Sequence, residues 1–269
     1  MQIEIKDDFD LEKISLSGQC FRVRKFDNGI YRFITGDNII YIQEAGNQKF
    51  NVSCNINEWK EIWSVYFDFD RSYRDIFEKE GKKHPFIHKA MVYGRGLRIL
   101  HQNPWEMLLT FIISQRKNIP SISKSVEMLA SKYGHRIDTE YETIHLFPSP
   151  QEMTYASEDE LAKCSLGYRV PYILDAVHQV LTGTLDLDAL FELNDEELLE
   201  KLQTVHGVGK KVANCVALFA YGRTACVPID VWISRAINND CKGESPFYLF
   251  GKNAGIIQQY VFYYKKYHL

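Results

Sequence analysis

The stretch VHGVGKKVANC, residues 205–215, sets Gly207 and Gly209 directly before the pair Lys210 and Lys211. Two kinds of chemistry suit that order. Glycine admits positive φ and close backbone approach. A helix opening straight after the turn presents unpaired N–H groups to an anion such as a phosphate. A lysine held partly out of water near such a helix start has its ammonium disfavoured, which frees the amine as a nucleophile. Helical phase separates the two lysines. Lys211, Cys215 and Leu218 share one row beside a core row of Val212, Val216 and Phe219, whereas Lys210, Asn214 and Ala217 form a more polar row on the far side. Lys211 is therefore expected at the edge of the buried face, and Lys210 toward solvent or a phosphate. The plain alternatives are a helical corner closed by glycine and a lysine that snorkels to the surface.

Asp230, in VPID, is the second candidate. It precedes a helix expected from Val231, so it is a natural N-cap. It is equally a carboxylate that could face the lysine. An amine and a carboxylate beside a phosphate grip suit attack at a sugar carbon: the carboxylate stabilises developing positive charge while the amine forms a Schiff base.

Several elements must position these groups. The first 57 residues read as strands: CFRVRKF, IYRFIT, IIYIQEA and QKFNVSC are separated by Asp, Asn and Gly turns. After Asn57 the pattern is helical to the end. Asn103-Pro104 opens a helix whose run WEMLLTFIISQ is apolar nearly all round and so central to a core. Asn194 with Glu197 reads as a capping box, and that helix ends in HGVG. Further helices are expected from Lys210 to Ala220, from Val231, and across the C-terminal stretch of Ile257, Tyr260, Val261 and Tyr264. The fold class is α+β, with a small antiparallel β domain over 1–80 and a larger helical region over 81–269.

Composition bounds the partners. The 269 residues carry a net charge of -3 and 45% hydrophobic residues, enough for a substantial core. No apolar run reaches the length of a membrane span. The six cysteines form no CxxC pair, which argues for reduced, scattered thiols. Charge is segregated: residues 81–136 hold ten Lys or Arg against Glu106 and Glu127, whereas residues 137–205 hold three bases against fifteen acids. A segregated basic region can meet a phosphate backbone although the whole chain is acidic; solvated helix faces are the simpler account. The N-terminus has no apolar signal core, so an intracellular protein is expected, in the cytoplasm or nucleoid of a prokaryote or the nucleus of a eukaryote.

Taken in order, SGQCFR, YFDFDRSY, GLRILHQNPWEMLLTFIIS, LGYR, HGVGKKVANC, VPIDV and AGIIQQYVF resemble the 8-oxoguanine DNA glycosylase/lyases of the helix–hairpin–helix superfamily. That resemblance implies two helical subdomains with the active-site cleft between them, and a flipped nucleotide bound there. It makes Lys211 the Schiff-base nucleophile and Asp230 the catalytic aspartate. Cys215 and Phe262 would sandwich the base, Gln258 would bond its Watson–Crick edge, and the Gly18 carbonyl would accept from N7–H. That last role discriminates, because guanine has an acceptor at N7 where the oxidised base has a donor. Tyr168 would wedge into the vacated stack, and Arg169 would face the orphaned base. Gly207, Gly209 and Lys210 would contact phosphate. The aromatics could instead be core, and Gln258 a surface residue.

The chain departs from this family at three positions. An asparagine that reads the opposite cytosine is Arg116 here, an arginine that assists it is Ser121, and a histidine after VPxDV is Trp232. Relaxed discrimination of the opposite base follows as an expectation. After Asp230 only Cys241 remains, so the four-cysteine cluster of endonuclease III relatives is missing. No cofactor or metal is expected as a requirement, although hairpin carbonyls of this superfamily can hold an ion. The expected partner is double-stranded DNA containing oxidised guanine, with the protein acting as a monomer away from any membrane. A DNA-binding module without catalysis, and an enzyme of the same fold with another lesion preference, are the competing functions.

Overall fold

The computed structural model describes residues 1–268. Its contacts gather into two compact units, one of residues 1–34, 38–101 and the chain from Gly222 onward, the other of residues 35–37 and 102–221.

The first unit holds a five-stranded sheet built from Gln2–Glu4 (β1), Arg24–Lys25 (β2), Tyr31–Thr35 (β3), Asn38–Gly46 (β4) and Lys49–Val52 (β5). Its order is β1-β5-β4-β3-β2, with β1 and β4 antiparallel to β5 and β2 antiparallel to β3. Ile14, Phe33, Ile40, Ile42, Trp63 and Phe67 are wholly buried in one cluster. The expectation that the first 57 residues form strands separated by turns is corrected at its end, where Ile56–Glu58 is already helical, and at two places before it. Leu11–Leu16 is a helix, capped by Asp10 Oδ1 accepting from the Lys13 N–H at 3.0 Å. Of CFRVRKF only Arg24–Lys25 enters the ladder; Cys20 and Phe21 are buried outside it.

Arg98 is the polar centre of this unit. It is 1% exposed and donates to the carbonyls of Asp8, Phe67, Asp68 and Arg71 at 2.6–3.0 Å, and to the Asp7 carboxylate at 2.9 Å. The Asp68 carboxylate in turn accepts from the Tyr73 hydroxyl at 2.8 Å and bonds Arg71. The helix Val231–Asp240 and the C-terminal helix Ala254–Tyr267 complete the unit, the latter buried at every position from Ala254 to Val261.

The second unit is built on Pro104–Ile113, where Asn103 caps the Glu106 N–H at 3.0 Å and every residue from Trp105 to Ile113 is buried. That is the all-round burial its apolar sequence requires. Asn194 and Glu197 form the expected capping box at the head of Asp195–Leu202. Helices do not run unbroken past residue 57: Arg136–Asp138 and Thr143–His145 pair as an antiparallel ribbon. Its strands are three residues long and turn on Thr139, whose Oγ1 accepts from the N–H groups of Tyr141 and Glu142, so no alternation long enough to read announces it.

Candidate functional site

The hairpin of the second unit joins Asp195–Leu202 to Lys210–Phe219. Gly207 lies at φ +82, and a Cβ there would stand 2.3 Å from the Tyr172 ring. Both conformation and space therefore require glycine. Gly209 is extended, and a Cβ on it would meet nothing within 4 Å. The turn is fastened from outside: the His206 N–H donates to Asp175 Oδ2 at 2.8 Å, and Gln115 Nε2 donates to the Gly207 carbonyl at 3.1 Å. The first helical bond is Ala213 N–H to the Gly209 carbonyl, and no side chain among the described residues caps the helix. The N–H groups ahead of that bond face the turn, which is the geometry an anion needs.

Lys210 is exposed and Lys211 half-buried, as their helical phase requires. Lys211 Nζ lies 5.4 Å from the centroid of the Phe111 ring, which stacks on Phe219. Cys215, one turn on, is 3% exposed. The expectation of a polar far row is corrected. Asn214 and Ala217 are buried, because packing closes around the helix from Val212 on, and Asn214 Nδ2 donates to the Lys210 carbonyl at 2.8 Å.

Tyr168 stands in the tight turn Gly167–Arg169 with 50% exposure. Arg169 is buried: its Nη1 donates to the Leu166 carbonyl at 3.0 Å, its Nη2 to the Gln115 carbonyl, and its Cζ lies 4.3 Å over the Tyr168 ring. To meet a base it must leave those carbonyls. Arg116 is exposed at φ +53, a left-handed conformation that costs an arginine about 1 kcal/mol and that asparagine tolerates better. Ser121 lies in the first turn of Ile119–Tyr133, its N–H held by Asn118 Oδ1 at 2.9 Å.

In the first unit Asp230 is the N-cap of Val231–Asp240, accepting from the Ile233 N–H at 2.8 Å, and is half-buried. Ile229, Val231 and Trp232 around it are exposed, and Arg235 Cζ lies 5.4 Å over the Trp232 ring. Gly18 has φ +78, the left-handed backbone that favours glycine. Its turn is held by Gln259 Nε2 donating to the Ser17 carbonyl at 2.6 Å, and by Gln19, which bonds Ser17 Oγ, the Arg98 carbonyl and the Leu100 N–H. Gln258 is 3% exposed, and its Oε1 has no hydrogen-bond partner among the described residues. Phe262, four residues on, is half-buried, with Lys266 Nζ 5.9 Å from its ring centroid. Burial lowers the Lys266 ammonium to about 8.

Tyr172, Asp175, Gln115 and Gln259, which brace the two turns, were not legible in the sequence. Each acts through a partner distant in sequence, and the one local clue is a glycine pair whose turn needs something to lean on. Among the described residues no group of three His, Cys, Asp or Glu could hold a metal, and no helix is long and apolar enough to cross a membrane. One carbonyl of the hairpin, that of Gly207, is already taken by Gln115.

Residues 2–108 match the N-terminal domain of 8-oxoguanine DNA glycosylase, and residues 109–244 match the HhH-GPD superfamily of base excision DNA repair proteins. The N-glycosylase/DNA lyase OGG1 of Arabidopsis thaliana is 30% identical over 83% of this chain, which spans 64% of that relative's length. A structure described as MBOgg1 in complex with a low affinity DNA ligand superposes with a TM-score of 0.93 at 34% identity, covering 98% of this chain and 94% of that one. The Clostridium acetobutylicum 8-oxoguanine glycosylase/lyase, in complex with double-stranded DNA containing cytosine opposite the lesion, gives a TM-score of 0.90 at 32% identity, covering 99% and 97%.

Proposed function

Because this chain belongs to the HhH-GPD superfamily of base excision DNA repair proteins and carries an 8-oxoguanine DNA glycosylase N-terminal domain, we propose that it excises 8-oxoguanine from duplex DNA and then cleaves the abasic strand by β-elimination. The observation that carries this reading is Lys211: a half-buried amine over an aromatic ring, in the first turn of a helix that no side chain among the described residues caps, behind a glycine turn. The Lys211 amine uses its lone pair to bond C1′ of the flipped nucleotide. The C1′–N9 bond breaks, and the base leaves with that electron pair and takes up a proton. Opening of the sugar ring leaves an imine to Lys211, and loss of a 2′ proton then expels the 3′ phosphate. The Asp230 carboxylate offsets positive charge developing on the sugar. Lys211 and Asp230 belong to different units, each at the head of its own helix.

Around this chemistry the Gly18 carbonyl accepts from N7–H, Cys215 and Phe262 flank the base, and Gln258 Oε1 accepts from the N–H groups of its Watson–Crick edge. A buried acceptor that lacks a donor supports that last role, since such an atom is costly until something pairs it. Tyr168 fills the vacated stack, Arg169 turns from its carbonyls to the orphaned base, and Gly207, Gly209 and Lys210 hold a backbone phosphate. The enzyme acts as a monomer and requires no cofactor, so cleavage survives EDTA. Arg116 and Ser121 make opposite-base selection permissive, and cleavage rates opposite C, A, G and T are expected to lie close together.

The test is strand cleavage of a duplex carrying one 8-oxoguanine. Wild type is expected to cleave it and to leave undamaged duplex intact, and Lys211→Gln to bind without cleaving. Binding without cleavage by wild type would assign a non-catalytic module, and cleavage only of other lesions a different specificity.

A further inference from the structure

Resting on the reading of Tyr168 as the DNA wedge, the structure says more about what holds that wedge. The 165–169 segment has two left-handed residues, Ser165 at φ +58 and Gly167 at φ +57, and it faces a turn whose own Arg116 is left-handed. Left-handed serine and arginine are unfavourable in isolation and persist only when surroundings impose them. Two cations hold the segment, beside weaker bonds of Ser165 to the Ser125 hydroxyl and the Met128 sulfur. The Lys117 ammonium donates to the Ser165 carbonyl at 2.5 Å and to Ser125 Oγ at 2.6 Å, from the wholly buried Ser125 on the Ile119–Tyr133 helix. Arg169 bonds the Gln115 and Leu166 carbonyls. The two attachments differ in one respect. Those of Arg169 must be surrendered if its guanidinium turns to a base, whereas those of Lys117 serve no other role in the proposed reaction. Burial and the nearby Arg169 charge both lower the Lys117 ammonium, and departure of Arg169 would relieve the second of these.

We propose that Lys117 is the positioning residue of the wedge: it staples the 165–169 turn to the 114–118 turn, so that Tyr168 keeps its place when Arg169 leaves for DNA. Without the staple, release of Arg169 frees the whole turn, and the ring that fills the gap left by the flipped nucleotide is no longer pre-organised. The cost falls on flipping and leaves the chemistry at the sugar alone.

The experiment separates those two. Lys117→Met is assayed for single-turnover excision of 8-oxoguanine from a duplex, and for borohydride trapping on an abasic site in a single strand, where no base has to leave a stack. Duplex excision is expected to fall about tenfold, as for loss of a charged hydrogen bond, with single-strand trapping held within about twofold. Fluorescence of 2-aminopurine placed beside the lesion, which reports unstacking, is expected to rise less than with wild type, and Lys117→Arg to restore part of it. Duplex excision equal to wild type overturns the proposal, and so does an equal fall in both assays. If Lys117→Met does not fold, Ser125→Ala carries the test: it removes one Lys117 acceptor together with the 3.5 Å bond from the Ser125 hydroxyl to the Ser165 carbonyl, and unchanged duplex excision there overturns the proposal. Failure of wild type itself to excise 8-oxoguanine would instead refute the proposed function.

Discussion

Gln258 buries an acceptor that no donor meets among the described residues, and that arrangement separates stability from function. An unpaired buried carbonyl costs about 1–3 kcal/mol. Replacing it by an apolar group of similar size removes that cost together with the proposed contact to the base. Gln258→Leu is therefore expected to melt no lower than wild type while 8-oxoguanine excision falls about tenfold or more. A melting temperature that drops together with activity would make Gln258 a structural residue. Asp230 divides in the same way. Asp230→Asn keeps an N-cap oxygen for the Ile233 N–H and removes the charge, so stability is expected to hold while excision is lost. Asp230→Ala is expected to lose both, with about 1 kcal/mol of stability from the cap. Lys211 and Asp230 could be singled out as candidates from their positions at the head of a helix, whereas the base-flanking role proposed for Cys215 came from the resemblance. Gln258 and Phe262 were singled out by ordered resemblance, since nothing in their local spacing distinguishes them from an ordinary helix face.

Among the elements, the hairpin shows most clearly which part of a motif is architecture. Gly207 is required by φ +82 and by the Tyr172 ring, whereas Gly209 is required by neither. Gly207→Ala is expected to destabilise the protein by about 2 kcal/mol or more and to weaken DNA binding with it. Gly209→Ala is expected to leave the melting temperature within a degree or two of wild type, since an extended residue in open space tolerates a methyl group. Equal losses in a thermal melt would show that the turn is built some other way. The helices and their caps were legible at Asn103, Asn194 and Asp230, where polar capping residues precede apolar periodicity. The Leu11–Leu16 helix and the 136–145 ribbon were not. A helix of six residues and strands of three carry too little periodicity to compete with the turn residues around them. Likewise, Lys117 and Arg169 meet their carbonyls across 48 and 54 residues of chain, and no spacing rule reaches that far.

On the scale of the whole molecule, the buried charges of the first unit set its response to acid. Burial alone would raise the Asp68 carboxyl, but the neighbouring His101 imidazole, the Arg71 charge and the Tyr73 hydroxyl outweigh it and hold the group below its usual range. Asp7 is lowered in the same sense, with Arg98 and the Tyr73 and Arg74 N–H groups outweighing its burial. A carboxyl lowered on folding contributes stability that is present above its unfolded pKa and is lost as pH falls through the folded one. Urea unfolding is therefore expected to show stability falling below about pH 4, and Asp68→Asn to flatten that fall. A profile unchanged in the variant would place the acid sensitivity elsewhere. The α+β class was legible from composition and turn chemistry. The grouping of the chain from Gly222 onward with the N-terminal sheet was not, because return of a chain end to an earlier unit leaves no local mark.

The proposed chemistry assigns attack on the sugar to Lys211 and not to its neighbour Lys210. Reducing the enzyme with borohydride in the presence of an 8-oxoguanine duplex, digesting the trapped complex and locating the nucleotide adduct by peptide mass mapping separates the two. The half-buried position of Lys211 and the exposed position of Lys210 predict an adduct on Lys211, and none when Lys211→Gln is treated in the same way. An adduct carried by Lys210 or Lys266, or trapping that persists in Lys211→Gln, would contradict it.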